Sequence, residues 1–298
     1  MFRSTLASTF CRASQWQATR SMSTARETAV AKLSFSAVAP PFPSQPAKSK
    51  PIVILHGLFG SKQNWKALSK AMASRLNTNV YSLDLRNHGE SEHIARHDYP
   101  SMAKDVDHFI KEHSIDRPMV IGHSMGGKVA MSLALNQAPI DRLVVVDMAP
   151  APAKLSSVFQ SYCKVMEQIQ AAKVRKQSEA DKMMAQVIDD IGVRQFLLTN
   201  LKRDPETGEY SFRIPLATLG QSLKNLGCFE FETTEHRFDG KTLFIKGNRS
   251  DYISDNSREA IRQFFPHSRI EGLDAGHWVH AEKPEEFLKL VIQFAQEQ

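Results

Sequence analysis

From residue 51 the chain alternates short apolar runs with amphipathic segments, and that rhythm leaves few architectures open. "PIVILHG", "NVYSLDL", "PMVIGH" and "DRLVVVDMA" are apolar runs of strand length. Between them stand "NWKALSKAMASRL", "YPSMAKDVDHFIKEHSI" and "MGGKVAMSLALNQA". In the second of these, Met102, Val106, Phe109 and Ile110 recur at helical spacing and predict one buried face. Strands that are apolar throughout and separated by helices must be covered on both sides. The expected fold class is therefore α/β: a mainly parallel sheet with helices on both faces.

The rhythm stops at "APAPAKL". Residues 150 to about 238 carry helical, mostly polar patterns such as "SVFQSYCKVMEQIQAAKV" and "QVIDDIGVRQFLLTNL", with no strong strand before "KTLFIKG" at 241. A helical insertion is expected there. The sheet then resumes with 241–247, a helix around "SREAIRQFF", a strand at "SRIEGLD" and a last helix "PEEFLKLVIQFAQE". Ahead of the rhythm, "AVAKLSFSAVA" (29–39) alternates as a strand does and runs into a proline-rich turn over 40–50.

The first 26 residues hold Arg3, Arg12, Arg20 and Arg26 among many Ser, Thr and Ala, with no acidic residue before Glu27. That composition predicts a mitochondrial transit peptide, with the folded domain spanning 27–298. Taking those four arginines away lowers the formal charge from +6 to +2, so the basic character belongs largely to the leader. The remaining basic residues do not cluster with aromatics, which argues against a nucleic-acid partner. No window approaches the roughly 20 apolar residues of a membrane span. Of the three cysteines, Cys11 lies in the leader, and Cys163 and Cys228 are far apart, which gives neither a disulfide framework nor a metal motif.

Gly122, Ser124 and Gly126 form G-x-S-x-G between the strand "PMVI" and the helix opening at Met125. A strand that turns abruptly into a helix strains the residue at the corner, and only small neighbours fit around it. The serine is thereby presented at a helix N-terminus, where free N–H groups stabilise developing negative charge. Ser124 is the candidate nucleophile, and a hydroxyl nucleophile needs a base. "LDAGHWVHAEKPEEF" supplies His277, which follows a small-residue turn after a strand, and His280 three residues on; His277 is the preferred base. "HGLFG" (56–60) follows the first strand of the rhythm. It predicts the second half of an oxyanion hole, with backbone N–H groups from Leu58 and Met125, or from Phe59. The acid stays open between two residues. Asp147 ends the run "LVVVD", where a buried carboxylate would be costly without a partner, whereas Asp251 lies in the polar turn "KGNRSDYI". Burial favours Asp147 and leaves Asp251 as the alternative. In "SLDLRNHGESEH" (82–93) an Asp84–Arg86 pair and a glycine turn are expected to brace the loops around the site.

The order Ser124, acid, His277, with "HGLFG" ahead and "GHSMGG" in the middle, resembles the α/β-hydrolase superfamily over residues 51–298. "HGLFGSKQNW", "DLRNHGES", "HSMGGK" and "AGHWVHAEKPEEF" together resemble its mitochondrial esterase branch, which also holds yeast ethanol acetyltransferases. The superfamily at large places the acid at the position of Asp251; this branch places it in a "DMAP"-like segment, here Asp147. The resemblance further implies that residues 150–238 form a helical lid, with "YSFRIPLATL" (210–219) as an acyl-pocket wall, and it implies no cofactor or metal. The expected activity is cleavage of short-chain esters or thioesters through an acyl-enzyme. Alcohol acetylation from acetyl-CoA and ethanol is a second reading, and a non-catalytic binding protein on the same fold is a third.

Overall fold

The computed structural model describes residues 29–152 and 157–297, so the leader expected over 1–26 lies outside the described residues. Seven strands form one sheet in the order β1-β3-β2-β4-β5-β8-β9. These are β1 (Phe35–Val38), β2 (Ile52–Leu55), β3 (Val80–Leu83), β4 (Met119–His123), β5 (Arg142–Val146), β8 (Lys241–Gly247) and β9 (Ser268–Leu273). Only β1 runs antiparallel to its neighbour. The strand expected over 29–39 is thus confined to its last part.

Period-two alternation splits the core into two layers. Val53, Leu55, Val120, Val145 and Phe244 face one side, where they meet α2 (Tyr99–Glu112) and α3 (Met125–Leu135). Ile52, Ile54, Ile121, Val144, Val146, Leu243 and Ile245 face the other, against α1 (Lys66–Leu76) and the C-terminal helix Pro284–Gln296. Both faces are sealed, which is why these strands carry no polar alternation.

The insertion contains α4 (Ser157–Ala171), α5 (Gln177–Met184), α6 (Ile191–Leu198) and α7 (Leu216–Leu226). It also holds a hairpin of β6 (Leu201–Arg203) and β7 (Tyr210–Phe212), contrary to the expectation of helices alone. "DPETG" makes the turn: Asp204 accepts the N–H groups of Glu206 and Thr207, and Gly208 sits at φ +72. Three-residue strands are too short for an alternation pattern to show.

Register positions the site. Leu55 is level with Gly122, His123 with Val146, and Val146 with Ile245. The carboxyl ends of β2, β4, β5 and β8 therefore finish side by side, and the loops that leave them meet at one edge of the sheet.

Candidate active site

β4 ends at His123 and α3 begins at Met125, so Ser124 alone makes the corner, at φ +53 and ψ −116. Close approach makes the flanking glycines necessary. A Cβ at Gly122 would lie 2.2 Å from the Gly126 carbonyl oxygen, and one at Gly126 would lie 2.5 Å from that of Leu55. The Ser124 N–H donates to the Val146 carbonyl at 3.0 Å, which anchors the strained residue to the next strand.

His277, in the turn after β9, places Nε2 2.9 Å from Ser124 Oγ and Nδ1 2.7 Å from Asp147 Oδ2. Hydroxyl, imidazole and carboxylate stand in series. The ring and the backbone that carries it are each held. Tyr252 stacks on the ring at 4.1 Å, and the His277 carbonyl accepts the Nε2–H of His123 at 2.9 Å. Asp147 is fully buried just past β5 and has two further donors, the Gly247 N–H to Oδ1 at 3.0 Å and the Ser250 hydroxyl to Oδ2 at 2.5 Å. Those donors answer the cost of burying a carboxylate. Burial, reinforced by the charge on Asp147, raises the Tyr252 phenol above its ordinary value.

The two alternatives sit elsewhere. Asp251 is exposed and makes no hydrogen bond to His277 among the described residues. His280 is buried with its ring stacked on Trp65 at 4.2 Å, and burial, then the neighbouring His277, pushes its pKa down to about 3. His123 is held well below its ordinary value chiefly by burial, so His277 is surrounded by neutral imidazoles.

The loop after β2 presents Leu58 beside Ser124. Phe59 donates its N–H to His88 Nε2 at 3.1 Å and is thereby occupied, whereas no protein acceptor is found for the N–H groups of Leu58 or Met125 among the described residues. The Gly57 carbonyl, in the same peptide as the Leu58 N–H, accepts His56 Nδ1–H at 2.8 Å and the Gly60 N–H at 2.9 Å. His56 Nε2 accepts the Leu85 N–H, so each ring, His56 and His88, donates through Nδ1 and accepts through Nε2. Burial keeps both below their ordinary value, in the neutral form this pattern requires.

The "DLRNHGES" segment braces the site, but not through the expected pair. Asp84 binds Lys62 at 2.5 Å, and Arg86 binds Asp105 at 2.5 and 2.7 Å. Both residues lie past the end of β3, where strand alternation no longer sets their directions, and each side chain meets a partner from a different element, Lys62 ahead of α1 and Asp105 on α2. A largely apolar cavity of about 220 Å³ adjoins Ser124, and Phe159, Tyr162, Val193, Phe196, Leu197 and Trp278 form much of its wall. The segment 210–219 is not part of that wall. Its Phe212, Ile214, Leu216 and Leu219 are buried in the core, and α4 and α6 take the expected place. Ser250, Tyr252 and His88 went unpredicted; only the polar turn around Ser250 carried a visible signal.

A mainly parallel sheet with a serine elbow, a carboxylate after β5 and a histidine after the last strand defines the class of α/β hydrolases. Residues 52–290 match the profile described as the alpha/beta hydrolase family, and the chain belongs to that family. It is 39% identical to an sn-1-specific diacylglycerol lipase ABHD11 of Danio rerio, over 83% of this chain and 79% of that one. It is 33% identical to ethanol acetyltransferase 1 of Kluyveromyces lactis, over 82% and 73%. Among solved structures, a marine microorganism esterase superposes with a TM-score of 0.78 at 30% identity, covering 89% of this chain and 99% of the other.

Proposed function

We propose that the protein is a serine esterase or thioesterase acting on short-chain acyl groups, with Ser124, His277 and Asp147 as its catalytic triad. The observation that carries this reading is the unbroken contact from Ser124 Oγ through both ring nitrogens of His277 to Asp147. As Ser124 Oγ bonds to the acyl carbon, its proton passes to His277 Nε2. The imidazolium so formed is stabilised through Nδ1–H by Asp147. The carbonyl oxygen becomes an oxyanion that accepts the N–H groups of Leu58 and Met125. His277 returns the proton to the departing alcohol or thiol, leaving the acyl group on Ser124. Water then gives a proton to His277 and attacks the acyl carbon, and His277 returns that proton to Ser124 Oγ as the acyl–Oγ bond breaks and the acid leaves.

An alcohol in place of water would give an ester, and the likeness to an ethanol acetyltransferase favours this as the second reading, with acetyl-CoA and ethanol as donor and acceptor. The ester-to-acid product ratio with rising ethanol separates the two; no ester at high ethanol removes the transferase reading. The arginine-rich, acid-free leader supports import into mitochondria. Fusing residues 1–26 to a fluorescent reporter tests that, and a cytosolic reporter would contradict it.

The acyl-enzyme itself is tested by acid-quenching the protein mixed with p-nitrophenyl acetate and mapping the acetyl group by mass spectrometry. The account requires it on Ser124; turnover with the acetyl group on another residue would sink the triad.

A further inference from the structure

The oxyanion loop is gripped from the insertion as well as from the sheet. Asn200, two residues beyond α6, is 2% exposed and donates Nδ2–H to the Phe59 carbonyl at 2.8 Å, across 141 residues of sequence. Phe59 stands at φ +62, an unfavourable conformation for a bulky residue, and is itself buried. Its N–H is held by His88 and its carbonyl by Asn200, so both peptides that flank its Cα are tied. One tie comes from the sheet side and one from the insertion.

Asn200 is in turn fixed by α6 and by the strap beyond the hairpin. Its N–H donates to the Leu197 carbonyl at 3.1 Å, and its carbonyl accepts the Arg213 N–H at 2.9 Å. Leu197, Phe196 and Val193 of the same helix line the cavity. A displacement of α6 would carry Asn200 with it and leave the buried Phe59 carbonyl without its donor. The Leu58 N–H, two peptides away in the same loop, would then lose the conformation in which that loop lines the cavity with Ser124.

We propose that Asn200 is a positioning residue that makes the oxyanion loop dependent on the seating of the insertion. The assignment rests on the acyl-transfer reading above. Because the oxyanion exists only in the transition state and tetrahedral intermediate, the effect falls on kcat and spares ground-state binding.

The test compares kcat and KM for p-nitrophenyl acetate in wild type, Asn200→Asp, Asn200→Ala, Leu198→Ala and Ser124→Ala. Asn200→Asp keeps the shape and removes the donor; Asn200→Ala, smaller and neutral, stands in if the aspartate prevents folding. Leu198→Ala loosens a buried contact of α6 without touching the bond. Both Asn200 variants are expected to lose about tenfold in kcat at nearly unchanged KM, less than the 10²–10³ of deleting an oxyanion donor outright. They should bind a trifluoromethyl ketone, whose serine hemiketal carries an oxyanion, more weakly by the same factor, and Leu198→Ala, by loosening the seating of α6, should lower kcat in the same direction. Wild-type kcat and ketone affinity in the Asn200 variants would overturn the coupling, as would a rise in KM alone or an unaltered kcat in Leu198→Ala. Full turnover by Ser124→Ala would instead remove the catalytic reading on which the coupling rests.

Discussion

Ser250 donates its hydroxyl to Oδ2 of Asp147 at 2.5 Å, and that same oxygen faces Nδ1 of His277 at 2.7 Å. Ser250 therefore fixes which lone pair the carboxylate turns to the imidazole. Replacing it by alanine leaves the Gly247 N–H on the other oxygen, so the carboxylate keeps a partner but loses an orienting one. Ser250→Ala is expected to lower kcat by about tenfold, the scale of one hydrogen bond to a charged group. Steady-state kinetics at unchanged fold check this; an unaltered kcat would show that Gly247 alone orients the acid.

The two aspartates separate more sharply. Asp147→Asn should cost about 10²–10⁴ in kcat, because an amide neither stabilises the imidazolium nor fixes the ring tautomer. Asp251→Asn, at an exposed position, should leave turnover within about twofold, as surface substitutions generally do. Should the pattern come out reversed at preserved circular dichroism, the acid has been assigned to the wrong strand end.

The elbow predicts a stability effect independent of catalysis. A Cβ at Gly126 meets backbone carbonyl oxygens of Leu55 and His56 at 2.5 and 2.6 Å, atoms that move only if β2 moves. Gly126→Ala is expected to destabilise the fold by about 1–3 kcal/mol or more, in the range of overpacked cores. Denaturant titration measures it, and a variant as stable as wild type would mean that β2 and α3 separate more easily than their packing implies.

Lys128 supplies a pH signature. It is fully buried on α3, and its Nζ has the Cys228 carbonyl at 3.2 Å and the rings of Tyr99 and Phe229 at 5.3 and 5.9 Å. Burial lowers its pKa from 10.5 to about 8. Below pH 8 the amine is charged in both states, and the native state carries the full desolvation cost. Between about 8 and 10.5 the unfolded chain holds more protons, so this group makes stability rise with pH. A gap of that size corresponds to about 3 kcal/mol. Lys128→Met should thus be at least as stable as wild type at pH 7, with wild type gaining on it towards pH 10. A difference that stays flat over that range would show that Lys128 is not held near 8.

The α/β layers, the elbow and the late histidine are legible in the sequence because each rests on a local pattern: apolar strand runs, glycines around a serine, a small-residue turn before a histidine. What was not legible depends on pairing across distance. Asp84 and Arg86 look like a pair because they are neighbours in sequence, yet Lys62 and Asp105 reach them from other elements. The β6–β7 hairpin is too short to show a period, and the cavity wall falls to α4 and α6 because 210–219 is consumed by core packing. Ser250 shows the same limit: its polar turn is visible in the sequence, but that turn does not say which distant residue, here Asp147, 103 residues away, takes the hydroxyl.

The most direct measurement is kcat/KM for p-nitrophenyl acetate with wild type and Ser124→Ala, both folded to the same extent. Removing the hydroxyl leaves the oxyanion donors and the cavity in place but no atom to carry the acyl group. The account predicts a loss of about a thousandfold or more, the scale seen when a triad member is removed. An alanine variant that turns over within about tenfold of wild type would contradict nucleophilic catalysis at the elbow.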